Sequence, residues 1–164
     1  MKKERLEEEK KELIEQLGVQ LETENLAPVA ARIFATLILN GKQGATFEQL
    51  VNDLHASKST VSAHLEHLQS TNKVTYFTKP GDRKRYFIIT PDLMFNVIEE
   101  MVRKWESQKR IHEKVLEYKQ KHNEYARDEQ DEIQFDLEFH KDYLTFLHEA
   151  TAAIQKLKLK IVQE

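Results

Sequence analysis

The chain contains no cysteine. Disulfide scaffolds, thiolate metal centres and cysteine nucleophiles are therefore excluded, and a reducing compartment is the natural setting. Glycine and proline are scarce, 4 and 3 in 164 residues, which disfavours a loop-rich fold and favours long helices. No apolar run approaches the length of a membrane span, and the first residues are charged rather than signal-like. A cytoplasmic protein with no membrane partner is expected. The sequence also has no glycine-rich phosphate loop, no nucleophile–base constellation and no paired catalytic carboxylates, so neither enzymatic activity nor a cofactor is expected.

What the chain has in abundance is charge, 32% of its residues, with a net value of −3. The distribution is uneven. Residues 1–24 carry five basic and eight acidic side chains, a net −3. Residues 57–85 carry six basic and two acidic, a net +4. Residues 86–164 carry twelve basic and sixteen acidic, a net −4. A basic segment inside an acidic chain is a local footprint for phosphate.

Apolar spacing divides the chain into elements. Residues 2–24 are rich in Glu and Lys, with apolar points at Leu6, Leu13, Leu17 and Leu21; the stripe is thin, and such a helix needs a partner. Pro28 opens a second helix, with Val29, Ile33, Phe34, Leu37 and Ile38 as its buried face and Asn40-Gly41 as its stop. Thr46-Phe47-Glu48-Gln49 matches a capping box and starts a helix over 46–54. Ser57 is a good N-cap for a helix over 57–68. A connection of three residues, His55-Ala56-Ser57, makes the two helices cross steeply, as in a helix-turn-helix. A β-hairpin follows, from 73–78 to 83–89. Its tip, Lys79-Pro80-Gly81-Asp82, has the type II turn signature. Two long helices then fill about 91–124 and about 129–162, joined near Ala126-Arg127-Asp128. Leu93, Val97, Met101 and Trp105 stripe the first; Phe135, Phe139, Tyr143, Phe146, Ala150, Ala153, Leu157 and Ile161 stripe the second.

In the helix over 57–68, Val61, Leu65 and Leu68 face the core, so Ser59, Ala63, Glu66 and Ser70 face outward, flanked by Thr60, Ser62 and His67. A face of Ser, Thr, Ala and His lies flush in a major groove, where hydroxyls bond base edges and small apolar groups meet thymine methyls. The helix start also suits phosphate. The candidate DNA-contacting residues are therefore Lys58, Ser59, Thr60, Ser62, Ala63 and His67 on the helix, with Lys79, Arg83, Lys84 and Arg85 on the hairpin. Phosphate contacts would set register and affinity, and the helix would set sequence preference.

Three stretches carry a family resemblance: Leu26-Ala27-Pro28-Val29-Ala30-Ala31-Arg32-Ile33, Ser57-Lys58-Ser59-Thr60-Val61-Ser62 with Leu65 and Leu68, and Pro80-Gly81-Asp82-Arg83-Lys84-Arg85-Tyr86. Residues 28–90 resemble the winged helix-turn-helix of MarR-type transcriptional regulators, and most closely the GbsR-like subgroup. The wing departs from the common MarR pattern in ending Ile88-Ile89-Thr90-Pro91. The resemblance implies a homodimeric repressor or activator, repression being expected, with interlaced terminal helices. It also implies that Ser59, Thr60 and Ser62 lie on the recognition helix and that Arg83 and Arg85 lie on the wing.

The resulting fold class is mainly α with a small β-hairpin wing. A winged helix-turn-helix domain spans 26–90, preceded by a dimerisation helix at 1–25 and followed by long dimerisation helices at 91–164. A homodimer is also expected on packing grounds, because a domain of some 65 residues cannot cover stripes this long and symmetric dimers dominate soluble oligomers. It would set two recognition helices roughly 34 Å apart on a palindromic operator, with a small-molecule effector as a further partner. The alternative is a protein-interaction module with a coiled-coil-like scaffold. His64 and His67 share a helix face but lack a third ligand, so no metal site is expected. Phe135, Phe139, Tyr143 and Phe146 read as core rather than an effector pocket, and Asp136, Glu138, His140 and Asp142 as solvated surface.

Overall fold

A computed structural model of the chain describes residues 2–126 and 134–162. The order is α1 (Lys2–Glu22), α2 (Pro28–Asn40), a 3-10 turn (Gly41–Gln43), β1 (Ala45–Thr46), α3 (Phe47–Asp53), α4 (Lys58–Ser70), β2 (Val74–Thr78), β3 (Arg85–Ile89), α5 (Leu93–Ala126) and α6 (Glu138–Val162). The chain divides into two compact units, Met1–Leu93 and Met94–Glu164. The expected turn at Arg127-Asp128 lies outside the described residues. Among the described residues no helix is long and apolar enough to cross a membrane.

The first unit is built around α2. Pro28 sits in its first turn, and Ala30, Ala31, Ile33, Phe34, Ala35, Thr36 and Leu37 are all buried. α1, α4 and β3 pack against it. Val61, Leu65 and Leu68 of α4 enter this core as their spacing predicts, joined by Val74 and Phe87 from the hairpin. Ile38 departs from expectation and is exposed, because it lies on the side of α2 that nothing in the unit covers.

α1 also departs from its expected stripe. Its buried residues are Ile14, Gly18 and Leu21, whereas Leu13 and Leu6 are exposed. The reason is local. Arg32 of α2 lies across Gly18, where an added Cβ would come within 3.0 Å of its Cγ. Its guanidinium donates to Glu15 at 3.0 Å, to Glu22, and to the Pro28 carbonyl at 3.0 Å. The glycine lets the arginine cross the helix, and the two carboxylates, Glu22 foremost, raise the guanidinium's pKa.

Two details fix the sheet, whose strand order is β1-β3-β2, antiparallel throughout. Sequence spacing predicts the β2–β3 hairpin but not the two-residue β1, which pairs Ala45 with Phe87 and Thr46 with Tyr86. Thr46 also closes the expected capping box: its hydroxyl accepts from Gln49 N at 3.2 Å, and Gln49 Oε1 accepts from Thr46 N at 2.8 Å. Gly44, at φ +65°, brings the chain so close to β3 that a Cβ there would lie 2.3 Å from the Phe87 carbonyl oxygen.

The second unit is an antiparallel pair. Lys158 of α6 pairs with Glu99 of α5 at 2.6 Å, and Asn123 holds the Phe135 backbone through both its amide N and its carbonyl O, at 2.8 and 2.7 Å. α6 therefore starts at Glu138, nine residues later than the apolar spacing suggested. Asp136 accepts from Glu138 N at 2.9 Å just ahead of it. Among the described residues of this unit, the buried ones are Ile98, Ala126 and Leu147. Of the aromatic stripe expected as core, Tyr143 is half-buried, but Phe139 is 66% and Phe146 56% exposed.

Gly44→Ala should destabilise the protein by about 2 kcal/mol or more, through strain and a backbone clash. Gly41→Ala, also at positive φ but facing open space, should cost less. Equal losses in urea unfolding midpoint would show that the Gly44–Phe87 approach does not constrain the sheet.

Candidate nucleic-acid interface

Helix α4 presents the face expected of it. Lys58, Ser59, Ser62, Ala63, Glu66 and His67 are exposed, and Thr60 is half-buried. Its start is organised by hydroxyls. Ser57 Oγ accepts from Thr60 N at 3.2 Å and lies 2.7 Å from Thr60 Oγ1 and 3.0 Å from Ser59 Oγ. Ser59 and Thr60 are therefore already engaged with the cap, while Ser62 is free of it. The turn from α3 to α4 passes through His55 at φ +48°, a left-handed position that His tolerates better than most residues.

The wing is stiffened by its own side chains. Phe77 and Tyr86 stack at 5.4 Å on one face, and Tyr76 meets Phe87 edge-on at 6.1 Å on the other. Two candidate cations lie over these rings, Lys79 Nζ 4.0 Å from the Tyr86 centroid and the Arg85 guanidinium 4.6 Å from that of Tyr76. Stacking of this kind narrows the conformers of a long exposed side chain. The tip closes as expected, with Gly81 at φ +78° and Asp82 N donating to Lys79 O at 3.0 Å. The strand, however, begins only at Arg85. Arg83 and Lys84 belong to the loop, because Asp82 claims the backbone there. Its carboxylate accepts from Lys84 N at 2.9 Å and from the Tyr86 hydroxyl at 2.7 Å. These two bonds, the Tyr86 one first, lower the carboxyl pKa, and the same bond raises that of the phenol.

Helix and wing face each other across an open cleft of about 560 Å³, with Ser62, Leu65, Glu66 and Gln69 on the helix side and Arg83, Lys84 and Arg85 on the wing side. Phe47 and Glu48 of α3 and Phe87 of β3 complete it. Of the ten candidates, Ser62, Arg83, Lys84 and Arg85 are thus brought together. Lys58, Ser59, Thr60, Ala63, His67 and Lys79 lie outside the cleft. Glu48 and Gln69 were missed as candidates. For Gln69 the signal was available, since it follows Ser62 by seven residues on one helix face. Among the described residues no group of three or more His, Asp or Glu is placed to hold a metal ion.

No family model matches the sequence, and no curated protein matches it. Among solved structures, one described as a transcriptional regulator aligns over 95% of this chain and 99% of its own, with a TM-score of 0.52 at 18% identity. A MepR variant from a multidrug-resistant S. aureus clinical isolate aligns over 93% and 94%, with a TM-score of 0.40 at 14% identity. The transcriptional regulator Tm0710 from Thermotoga maritima aligns over 79% and 97%, with a TM-score of 0.39 at 21% identity. The first likeness is one of fold; the two weaker ones carry no argument. Together with the mainly helical architecture and small three-stranded antiparallel sheet, it makes this a winged helix-turn-helix fold.

Asp82→Asn should bring the raised Tyr86 phenol back toward its ordinary value of 10.0, because the carboxylate that favours the protonated phenol is gone. An absorbance titration, assigned with Tyr86→Phe, reads this. An unmoved transition would mean that the wing tip is not held by this bond.

Proposed function

We propose that the protein is a sequence-specific double-stranded-DNA-binding transcriptional regulator of the MarR type, acting as a homodimer and most simply as a repressor. The observation that carries this reading is the cleft that sets Ser62 of α4 opposite Arg83, Lys84 and Arg85 of the wing. A helix wall of Ser62, Leu65, Glu66 and Gln69 faces three cations, an arrangement suited to gripping a phosphate backbone while a helix reads base edges, with Glu66 an acceptor for a base amine. The mechanism divides accordingly. Lys58 and the wing cations neutralise phosphates; Ser59, Thr60, Ser62, Ala63 and His67 meet bases; Lys79 and Arg85, parked on aromatic rings, lose little side-chain entropy on binding. The GbsR-like subgroup rests on the residues around Pro28 and the wing sequence alone.

Dimerisation has its own support. α5 and α6 leave Ile111, Tyr118, Phe139, Phe146 and Leu159 more than half exposed, and large exposed apolar side chains grouped together mark an interaction surface. A two-fold partner would cover it and give two recognition helices for a palindromic operator. A small-molecule effector would act by favouring one spacing of those helices over another.

Two measurements test the reading. Binding to DNA selected from a random pool should weaken steeply with salt, and Arg83→Ala/Arg85→Ala should reduce the log–log salt slope by about 2; binding that ignores both salt and the double substitution would indicate a protein partner instead. Phe139→Asp/Phe146→Asp should shift the sedimenting species from dimer to monomer. A parent protein that is already monomeric at working concentration would overturn the homodimer.

A further inference from the structure

The start of α6 meets the middle of α5 through three nitrogen-bearing side chains. Lys119 Nζ lies 2.9 Å from His140 Nε2, and His140 Nδ1 lies 3.5 Å from His112 Nδ1. Chemistry fixes the polarity of this chain. An ammonium donates and cannot accept, so His140 Nε2 is an acceptor, and His140 is neutral with its proton on Nδ1. That proton faces His112 Nδ1, at the outer edge of hydrogen-bond range. His112 Nδ1 must accept in turn, which makes His112 neutral with its proton on Nε2. Sequence spacing had placed His140 on a solvated surface; the delayed start of α6 turns it onto α5 instead.

We propose that Lys119, His140 and His112 form an acid-sensitive latch between α5 and α6, closed while both imidazoles are neutral and opened when His140 takes up a proton. A proton on Nε2 would set two cationic donors against each other at 2.9 Å with no acceptor between them, so one side chain must leave. The surroundings sharpen the response. Burial foremost, then the Lys119 charge and His112, push the His140 pKa below its ordinary 6.5, with Asp136 opposing them. Two rings also pack here, Tyr143 edge-on to His112 at 4.7 Å and Phe139 against His140 at 5.6 Å. Lys119 also lies 5.1 Å from the Phe135 ring centroid, so its displacement would loosen the segment that leads into α6. Because the folded-state value lies below the unfolded one, the latch's contribution to stability is complete above about 6.5 and is lost as the pH falls through the depressed value.

Long-range proton–nitrogen NMR of the full chain, with labelled histidine, tests the proposal directly. The parent should show His140 as the Nδ1–H tautomer, titrating below 6.5. Lys119→Met should move that titration upward. His140→Gln, which keeps an acceptor for Lys119 but cannot titrate, should shrink the acid-induced loss of unfolding temperature relative to the parent. An Nε2–H tautomer, a titration at or above 6.5 in the parent, or one that Lys119→Met leaves unmoved would overturn the latch. The parent spectrum decides even where a variant fails to fold.

Discussion

The constraint on which the first unit depends is the burial of α2 on almost every side. Thirteen residues give it seven buried positions, and the three alanines among them, Ala30, Ala31 and Ala35, let neighbouring elements come close while Ile33, Phe34 and Leu37 fill the space between. Each fully buried Ile or Leu contributes roughly 1.5–3 kcal/mol, so this single helix organises the others. Its polar residues are handled locally. Thr36, buried, returns its hydroxyl to Arg32 O at 2.8 Å, and Arg32 reaches out over Gly18 to two glutamates of α1. The charged N-terminal helix thereby becomes part of this unit rather than a loose arm.

From α2 the geometry passes outward by short steps. Gly44 allows β1 to touch β3, and Thr46 both pairs with Tyr86 and caps α3. Phe87 carries β3 into the core, while the adjacent Arg85 and Tyr86 point along the two faces of the wing. The cleft between wing and α4 is thus set in part by Gly44 and Thr46, which do not line it, and the wing tip is set by Asp82. An acidic residue in the most basic segment of the chain looks like a cost to anion binding. Its carboxylate is instead occupied by Tyr86 and Lys84 N, and the loop that it shapes presents two cations.

Much of this was legible in the sequence because periodicity and capping are local. The inward Val61/Leu65/Leu68 stripe, the Thr46–Gln49 box, the Ser57 cap and the Pro80-Gly81 turn all follow from residues within one or two turns of each other. The failures share one physical origin, which is that burial is decided by what lies opposite. Leu13 and Ile14 are equally apolar, but only Ile14 lies against α2. β1 is two residues long, too short for any alternation to register. Phe135 continues the apolar spacing of α6, yet Asn123 captures its backbone before the helix begins. Glu48 belongs to the cleft through a wing that is distant in sequence. His140 read as surface for the same reason, since its partners are 21 and 28 residues away.

The two units differ in how far each can satisfy itself, and that difference locates sensitivity. The first closes a core of sixteen buried residues, with caps and turns that agree with its packing, the consistency expected of a segment with one stable structure. Among the described residues of the second, polar contacts such as Lys158–Glu99, Asn123–Phe135 and Lys119–His140 join α5 to α6 or to the segment that leads into it, beside buried Ile98, Ala126 and Leu147. Where apolar burial is thin, single polar contacts carry a larger share of the free energy. A change in charge or the arrival of a partner therefore acts most strongly on α5 and α6. Under the proposed function this is a workable division of labour: the DNA-facing surface is preorganised by its own core, while association and its modulation fall to helices whose packing is left unfinished by one chain.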